Sequence, residues 1–263
     1  MLIVADNLQA ARPDIYKAIE GFDAKPIQEL VVRCLRAGID AIDINPGPLK
    51  HDAEKRMAFL VETVQEVTGK TLFLDTTNPV ALEAGLKAAK NPVVINGFSL
   101  EPKKIEHILP LAGKFGTEIV GYLLLPNGHV PPGYEERLNV AIELYTVFQR
   151  SGLPPEKLII DPIVVPALWE DGLAQNQAVL SVIQTLPDVL GRHVRTMVGL
   201  SNLTTGKAPL EKKRVLEMAY LPMLAYSGVS AILLNAFRLD TVRIARSCEV
   251  LLSSKVFTWQ EIP

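Results

Sequence analysis

A (β/α)8 barrel is the fold this chain predicts, on three observations: about eight short apolar runs of strand length, helix-period segments between them, and a length of 263 residues. A barrel of this kind takes about 250 residues, so one α/β domain spanning 1–263 accounts for the whole chain. The apolar runs are nearly continuous in Val, Ile and Leu without polar alternation, as parallel strands covered on both faces require.

In chain order, the runs fall at residues 2–5, 41–44, 71–74, 93–95, 119–125, 158–160, 197–200 and 231–234. Segments of helical period lie between them at 26–37, 53–67, 79–89, 102–114, 135–151, 210–226 and 239–252. Several open with proline in the first turn and close at glycine or asparagine, the expected punctuation of helices. The length favours closure of the sheet over an open doubly wound arrangement, and no glycine fingerprint of a dinucleotide site follows the first run.

Composition narrows the function. With 27 basic against 29 acidic residues and a formal charge of -2, the chain has no broad positive field to collect nucleic acid or anionic lipid. It shows no basic leader before its first apolar run and no stretch near the ~20 apolar residues of a membrane span, so a cytoplasmic protein is expected. Cys34 and Cys248 both sit in amphipathic segments, which predicts reduced core cysteines. The four histidines show no metal-ligand spacing, which predicts surface positions and no bound metal.

Polar residues close most of the apolar runs: Asp6 and Asn7, Asp43 with Asn45, Asp75, Asn96, Asp161, Ser201 with Asn202, and Asn235. Asp and Asn also serve as turn and helix-cap residues, because they hydrogen-bond their own backbone. In a barrel, however, all these ends converge on the C-terminal mouth, where barrel enzymes place their chemistry. A mouth of carboxylates and amides, poor in His, Cys, Lys and Arg, suits a neutral heterocycle with many N–H donors. A pterin fits that description, since a carboxylate can accept paired hydrogen bonds from its 2-amino group and nitrogen 3.

Five segments then resemble, in order, the methyltetrahydrofolate:corrinoid/iron-sulfur protein methyltransferases among the pterin-binding, dihydropteroate synthase-like barrels. They are Asp43-Ile44-Asn45-Pro46-Gly47-Pro48, Leu74-Asp75-Thr76-Thr77-Asn78, Val94-Ile95-Asn96-Gly97, Ile160-Asp161-Pro162 with Pro166, and Gly199-Leu200-Ser201-Asn202. The resemblance implies that Asp75, Asn96 and Asp161 bind the pterin and that Asn202 contacts nitrogen 5 and its methyl group, in a network with water and Asp161. It further implies 5-methyltetrahydrofolate as substrate, a cobalamin-bearing corrinoid protein as partner, and a homodimer. Asp43, Asn45, Ser201 and Asn235 complete the expected cavity, with Lys207 standing where the family has an arginine. The sequence differs from the family at Asp6-Asn7-Leu8-Gln9, in a shorter loop after Asn202, and at Asn235 in place of an aspartate.

Other functions share these features. Dihydropteroate synthase uses the same fold and pterin carboxylates, but its family tends to carry late-strand lysine, Ser-x-Arg and Arg-x-His signatures; here Gly199-Leu200-Ser201-Asn202 has no lysine and Leu234-Asn235-Ala236-Phe237-Arg238-Leu239-Asp240 no histidine. An O-demethylase or methylamine-type system would run the same transfer from methyl-corrinoid to tetrahydrofolate. A quaternary amine donor would call for an aromatic cage, and near the strand ends the sequence offers only Phe98 and Phe237. A silent scaffold or pterin carrier would bind without turnover.

Overall fold

The computed structural model describes residues 1–49 and 51–262. Eight parallel strands close into a barrel in sequence order. They are β1 (Leu2–Gln9), β2 (Ala41–Asn45), β3 (Thr71–Leu74), β4 (Val93–Phe98), β5 (Glu118–Tyr122), β6 (Leu158–Asp161), β7 (Arg195–Gly199) and β8 (Ala231–Leu234). The surrounding helices are α1 (Pro13–Gly21), α2 (Ala24–Arg36), α3 (Ala53–Gln65), α4 (Pro79–Ala88), α5 (Pro102–His107), α6 (Leu109–Phe115), α7 (Tyr134–Arg150), α8 (Gly172–Val189), α9 (Leu210–Tyr226) and α10 (Leu239–Leu251).

Strand side chains alternate between faces, and burial separates them into two apolar layers. One residue per strand forms the barrel's inner layer: Val4, Ala41, Phe73, Val94, Val120, Ile159, Met197 and Ala231. Their neighbours, such as Ile3, Ile42, Leu72, Ile95 and Ile160, face outward and join the helices in the main core. The inner layer is the floor on which the next inward residues stand. By the same alternation those are Asp6, Asp43, Asp75, Asn96, Tyr122, Asp161, Gly199 and Leu233.

Two register irregularities sharpen that placement. Between Ala5 and Leu8, β1 carries one residue more than β2, and between Asn96 and Phe98, β4 carries one more than β5. Such bulges re-aim side chains at barrel rims. The first leaves both Asp6 and Asn7 buried. The second falls at Gly97, where a Cβ would lie 2.3 Å from the Val120 carbonyl oxygen, so the strand can bulge there only with glycine.

Several boundaries differ from the sequence reading. The helix predicted at 102–114 is two, because Pro110 cannot donate the backbone bond a continuous helix needs, and α6 begins afresh at Leu109. The run predicted at 119–125 leaves the sheet after Tyr122. Helix α8 lies outside the segments predicted above; its inner face sets the buried amides Gln175 and Asn176 beside Val179, Val182, Ile183 and Leu186. Cys34 and Cys248 are buried free thiols, as predicted, and His51, His107, His129 and His193 are all exposed. Among the described residues, no helix is long and apolar enough to cross a membrane.

Candidate functional site

At the C-terminal mouth, the carboxyls and amides of different strands bond one another. Asn96 donates through Nδ2 to Asp43 Oδ1 at 2.9 Å, and its Oδ1 accepts from the Tyr122 hydroxyl at 2.7 Å. Asn45 donates to Asp75 Oδ2 at 2.6 Å while its own Oδ1 accepts from Gly47 N. Asp161 Oδ1 accepts from Ile163 N at 2.8 Å. Across the ring, Asn7 donates to Asn235 at 2.9 Å and accepts from Ala236 N, while Ser201 donates to Asp6 at 2.8 Å.

Turn chemistry and cavity chemistry coexist in these residues. Asn45, Asp161 and Asn235 each use one side-chain oxygen to close a backbone turn two residues on, the role any strand-ending Asx residue can take. Asn78 is a helix cap alone, accepting from Val80 N and Ala81 N at the start of α4. Asn45 keeps its Nδ2 for a neighbouring strand, Asn235 accepts from Asn7 with the same Oδ1 that closes its turn, and no protein group bonds the second oxygen of Asp161 among the described residues.

Burial dominates the electrostatics. The Asp43 carboxyl is pushed well above the usual carboxylate range by its burial and then by Asp75. Burial raises Asp75 to about 6 against the opposing hydrogen bond from Asn45. It raises Asp161 to about 7, against the Ile163 N–H and the charge of Arg137. Asp6 is raised for the same reason, opposed by Ser201 and Arg238. Shifts of this kind gather where chemistry is done.

Asn202 follows β7 in a short 3-10 turn, Leu200–Thr204, and is exposed at the rim. Its amide folds back over the strand end, with Nδ2 3.1 Å from where a Cβ on Gly199 would stand, so glycine there leaves the amide its place. Two side-chain ties flank the turn: Ser201 to Asp6, and Thr204 to the buried Glu217, which also pairs with Arg238. Lys207 lies exposed further along the loop and joins no hydrogen bond of the mouth. The structure thus gathers Asp43, Asn45, Asp75, Asn96, Asp161, Ser201, Asn202 and Asn235 at one mouth and leaves Lys207 at its edge.

Two residues escaped sequence reasoning, Tyr122 and Arg137. Tyr122 was hidden inside an apolar run, yet its place as the inward residue at the end of β5 follows from strand parity. Asp6 was visible as a strand-end acid. Arg137 carried no sequence signal, since an arginine in a helix's first turn reads as surface. The two aromatics the sequence offered do not form a cage: Phe98 is buried in the outer core, and the ring of Phe237 lies under the Arg33 guanidinium at 4.2 Å. A recess of about 400 Å³ at the opposite end of the barrel is lined by Leu86, Phe115 and Lys157 among others; its Glu118 is already paired with Arg195.

A closed parallel barrel whose mouth is floored by apolar side chains and ringed by carboxyls and amides defines a class of enzymes that hold a nitrogen heterocycle at the strand ends. The chain belongs to the pterin binding enzyme family, whose profile matches residues 14–235. A methylcorrinoid:tetrahydrofolate methyltransferase of Eubacterium limosum is 23% identical over 258 residues, covering 97% of this chain and 92% of that protein. Among solved structures, the fold is similar to Yersinia pestis dihydropteroate synthase with a pterine-sulfa conjugate, at a TM-score of 0.72 and 17% identity over 97% of this chain and 94% of that one. It is also similar to Xanthomonas albilineans dihydropteroate synthase in complex with 7,8-dihydropteroate, at a TM-score of 0.68 and 18% identity over 94% and 93%. At such identities these structures bear on the fold alone.

Proposed function

We propose that this protein is a cytoplasmic methyltransferase, a single pterin-binding barrel domain that moves a methyl group between nitrogen 5 of tetrahydrofolate and the cobalt of a corrinoid protein. The observation that carries the reading is the convergence of Asp75, Asn96 and Asp161 on one mouth with the amide of Asn202 above them. Asp75 and Asp161 accept hydrogen bonds from the pterin's N–H donors, and Asn96, oriented by Asp43 and Tyr122, serves the ring's remaining polar edge. Asn45 and Asn235 shape the rim. The similarity to the Eubacterium limosum methyltransferase supports this reaction over dihydropteroate synthesis.

In the forward direction, the Co(I) corrinoid attacks the methyl carbon and the carbon–nitrogen bond breaks. The bond's electron pair stays on nitrogen 5, which takes a proton, and the products are tetrahydrofolate and methyl-Co(III). Such an amine leaves poorly unless hydrogen-bonded or protonated as the transition state forms. The Asn202 amide, without a side-chain hydrogen bond among the described residues, stabilises that state without titrating, with water and Asp161 completing the network. The reverse reaction uses the same groups.

A second copy of the chain is expected on the outer face of α8 and α9, where Leu173, Val189, Val215, Met223 and Tyr226 are exposed. A groove between the two helices is lined by Leu180, Gln184 and Met223 among others. The test of the reaction is anaerobic absorbance of cob(I)alamin with 5-methyltetrahydrofolate and the protein, with methylcobalamin plus tetrahydrofolate as the reverse. Protein-dependent interconversion supports the assignment. Binding of the folate without transfer to free cobalamin or to any corrinoid protein would leave a pterin carrier in its place.

A further inference from the structure

The loop that joins β6 to α8 begins at Asp161 and is held from below by buried polar groups. Arg137, in the first turn of α7, is 0% exposed. Its guanidinium donates to the carbonyls of Pro162 and Ile163, the latter at 2.9 Å, and to Gln175 Oε1 at 2.9 Å. Asn176 clasps the next part of the loop, accepting from Val165 N at 3.1 Å and donating to Val165 O at 2.9 Å. Between these anchors Ile163 adopts φ +65°, a left-handed conformation that a β-branched residue rarely takes. That conformation turns the Ile163 N–H onto Asp161 Oδ1.

We infer that Arg137 is a positioning residue for Asp161: it grips the two carbonyls that follow the aspartate, imposes the turn that aims an N–H at its carboxylate, and supplies the positive charge behind it. The inference rests on the reading of Asp161 as a pterin ligand, but its first readout needs no ligand. A buried guanidinium with no carboxylate in direct contact among the described residues needs a compensating charge, and Asp161 is the first such charge felt by Arg137. Its other neighbours are Asp171, reached through Gln175, and Tyr220. The groups facing Asp161 are Tyr122 from β5, its register partner, and Arg137 from α7, with Asp43 and Asp75 beyond Tyr122. Among them only Arg137 favours the ionised carboxylate by charge.

The experiment is a carboxyl ¹³C titration of aspartate-labelled protein without ligand, with Asp161 assigned by its absence in Asp161→Asn. In the wild type Asp161 titrates at about 7. In Arg137→Met its titration moves to higher pH, and tetrahydrofolate binding at pH 7 weakens roughly fivefold because fewer molecules carry the ionised carboxylate. Raising the pH to 9 restores that binding to within about twofold, and Arg137→Lys, which keeps the charge, titrates close to the wild type. Arg137→Gln removes the charge while keeping a carbonyl contact and gives the same reading should the methionine variant fail to fold. An unmoved Asp161 titration in a folded charge-removing variant overturns the inference, as does binding lost equally at every pH. A shifted titration in a protein whose wild type binds no tetrahydrofolate keeps the inference and instead removes the proposed function.

Discussion

Asn96 donates its side-chain amide to Asp43 at 2.9 Å, tying together two strands 53 residues apart in sequence and fixing which way that amide points. Asp43 accepts from Nδ2, which leaves Oδ1 facing the Tyr122 hydroxyl, which donates at 2.7 Å. The amide's orientation, and with it the donor and acceptor that it offers a ligand, is therefore set by a tyrosine on one side and an aspartate on the other.

Tyr122→Phe removes one of those two constraints while leaving the ring in place. Tetrahydrofolate binding is expected to weaken about three- to tenfold, the worth of one hydrogen bond in a buried network. Calorimetric titration of the two proteins checks it, and equal dissociation constants would detach Tyr122 from the site.

Asp75→Ala takes away an acceptor and leaves ring N–H donors buried without partners. The expected loss in tetrahydrofolate affinity is roughly ten- to hundredfold. Equilibrium binding at pH 8, above the value of about 6 at which Asp75 titrates, measures it with the carboxylate ionised in the wild type.

Asn202→Ala separates binding from chemistry. The residue stands at the rim rather than in the floor, so the dissociation constant for 5-methyltetrahydrofolate should change less than about threefold while the single-turnover methyl-transfer rate falls about a hundredfold. Stopped-flow absorbance of the corrinoid reads both quantities. An unchanged single-turnover rate would end the role assigned to Asn202.

Asp161→Asn exposes a trade between stability and function. The folded carboxyl titrates at about 7 and the unfolded one at about 3.9. Between those values the folded state holds a proton that the unfolded state has released, so wild-type stability falls as pH rises through that window. The asparagine variant lacks this penalty. It should gain on the wild type from pH 4 to 7, by a difference on the order of 2–4 kcal/mol, and hold that gain at higher pH. Denaturant midpoints across that range give the answer, and a constant difference would mean that Asp161 titrates alike in both states.

Glu217→Gln strips the charge that partners Arg238 and one acceptor of Thr204. Because Glu217 is nearly fully buried, a loss of about 2–3 kcal/mol of stability is expected, together with slower methyl transfer, since Thr204 sits two residues from Asn202. Unfolding curves and single-turnover rates together check it; a variant equal to the wild type in both would leave the tie without a role.

How much of this was legible in the sequence depends on what kind of signal each residue left. The barrel was readable because both faces of its strands are covered, which forces runs such as 71–74 and 231–234 to be apolar throughout. The strand-end acids and amides stood out against those runs, so Asp43, Asp75, Asn96 and Asp161 could be placed at one mouth from the sequence. The bulges at Asp6-Asn7 and at Gly97 depend on pairing between strands, and pairing register leaves no mark in either strand alone. Arg137 and Gln175 were illegible for a related reason: polarity in a helix reads as solvent exposure, whereas here Arg137 answers the carbonyls of a loop 25 and 26 residues away and Gln175 accepts from Arg137. The outer course of β5 was misjudged because Leu124 and Leu125 continue the apolar run beyond the last bond to β6, from Leu123 N to Asp161 O.

The plug made by Val4, Phe73, Val94, Val120, Ile159 and Met197 fills the barrel axis below the ring of carboxyls and amides, so that ring is approached from the C-terminal side. Under the proposed reaction, the folate must settle first and the corrinoid protein must then cap the opening through which it came. A partner seated over that side would hold the folate in place until it left, so binding under this proposal would be ordered, with the corrinoid protein last in and first out. Kinetics of the compulsory-order ternary-complex kind follow from that one-sided approach, with the protein partner acting as an inhibitor of folate exchange for as long as it stays seated.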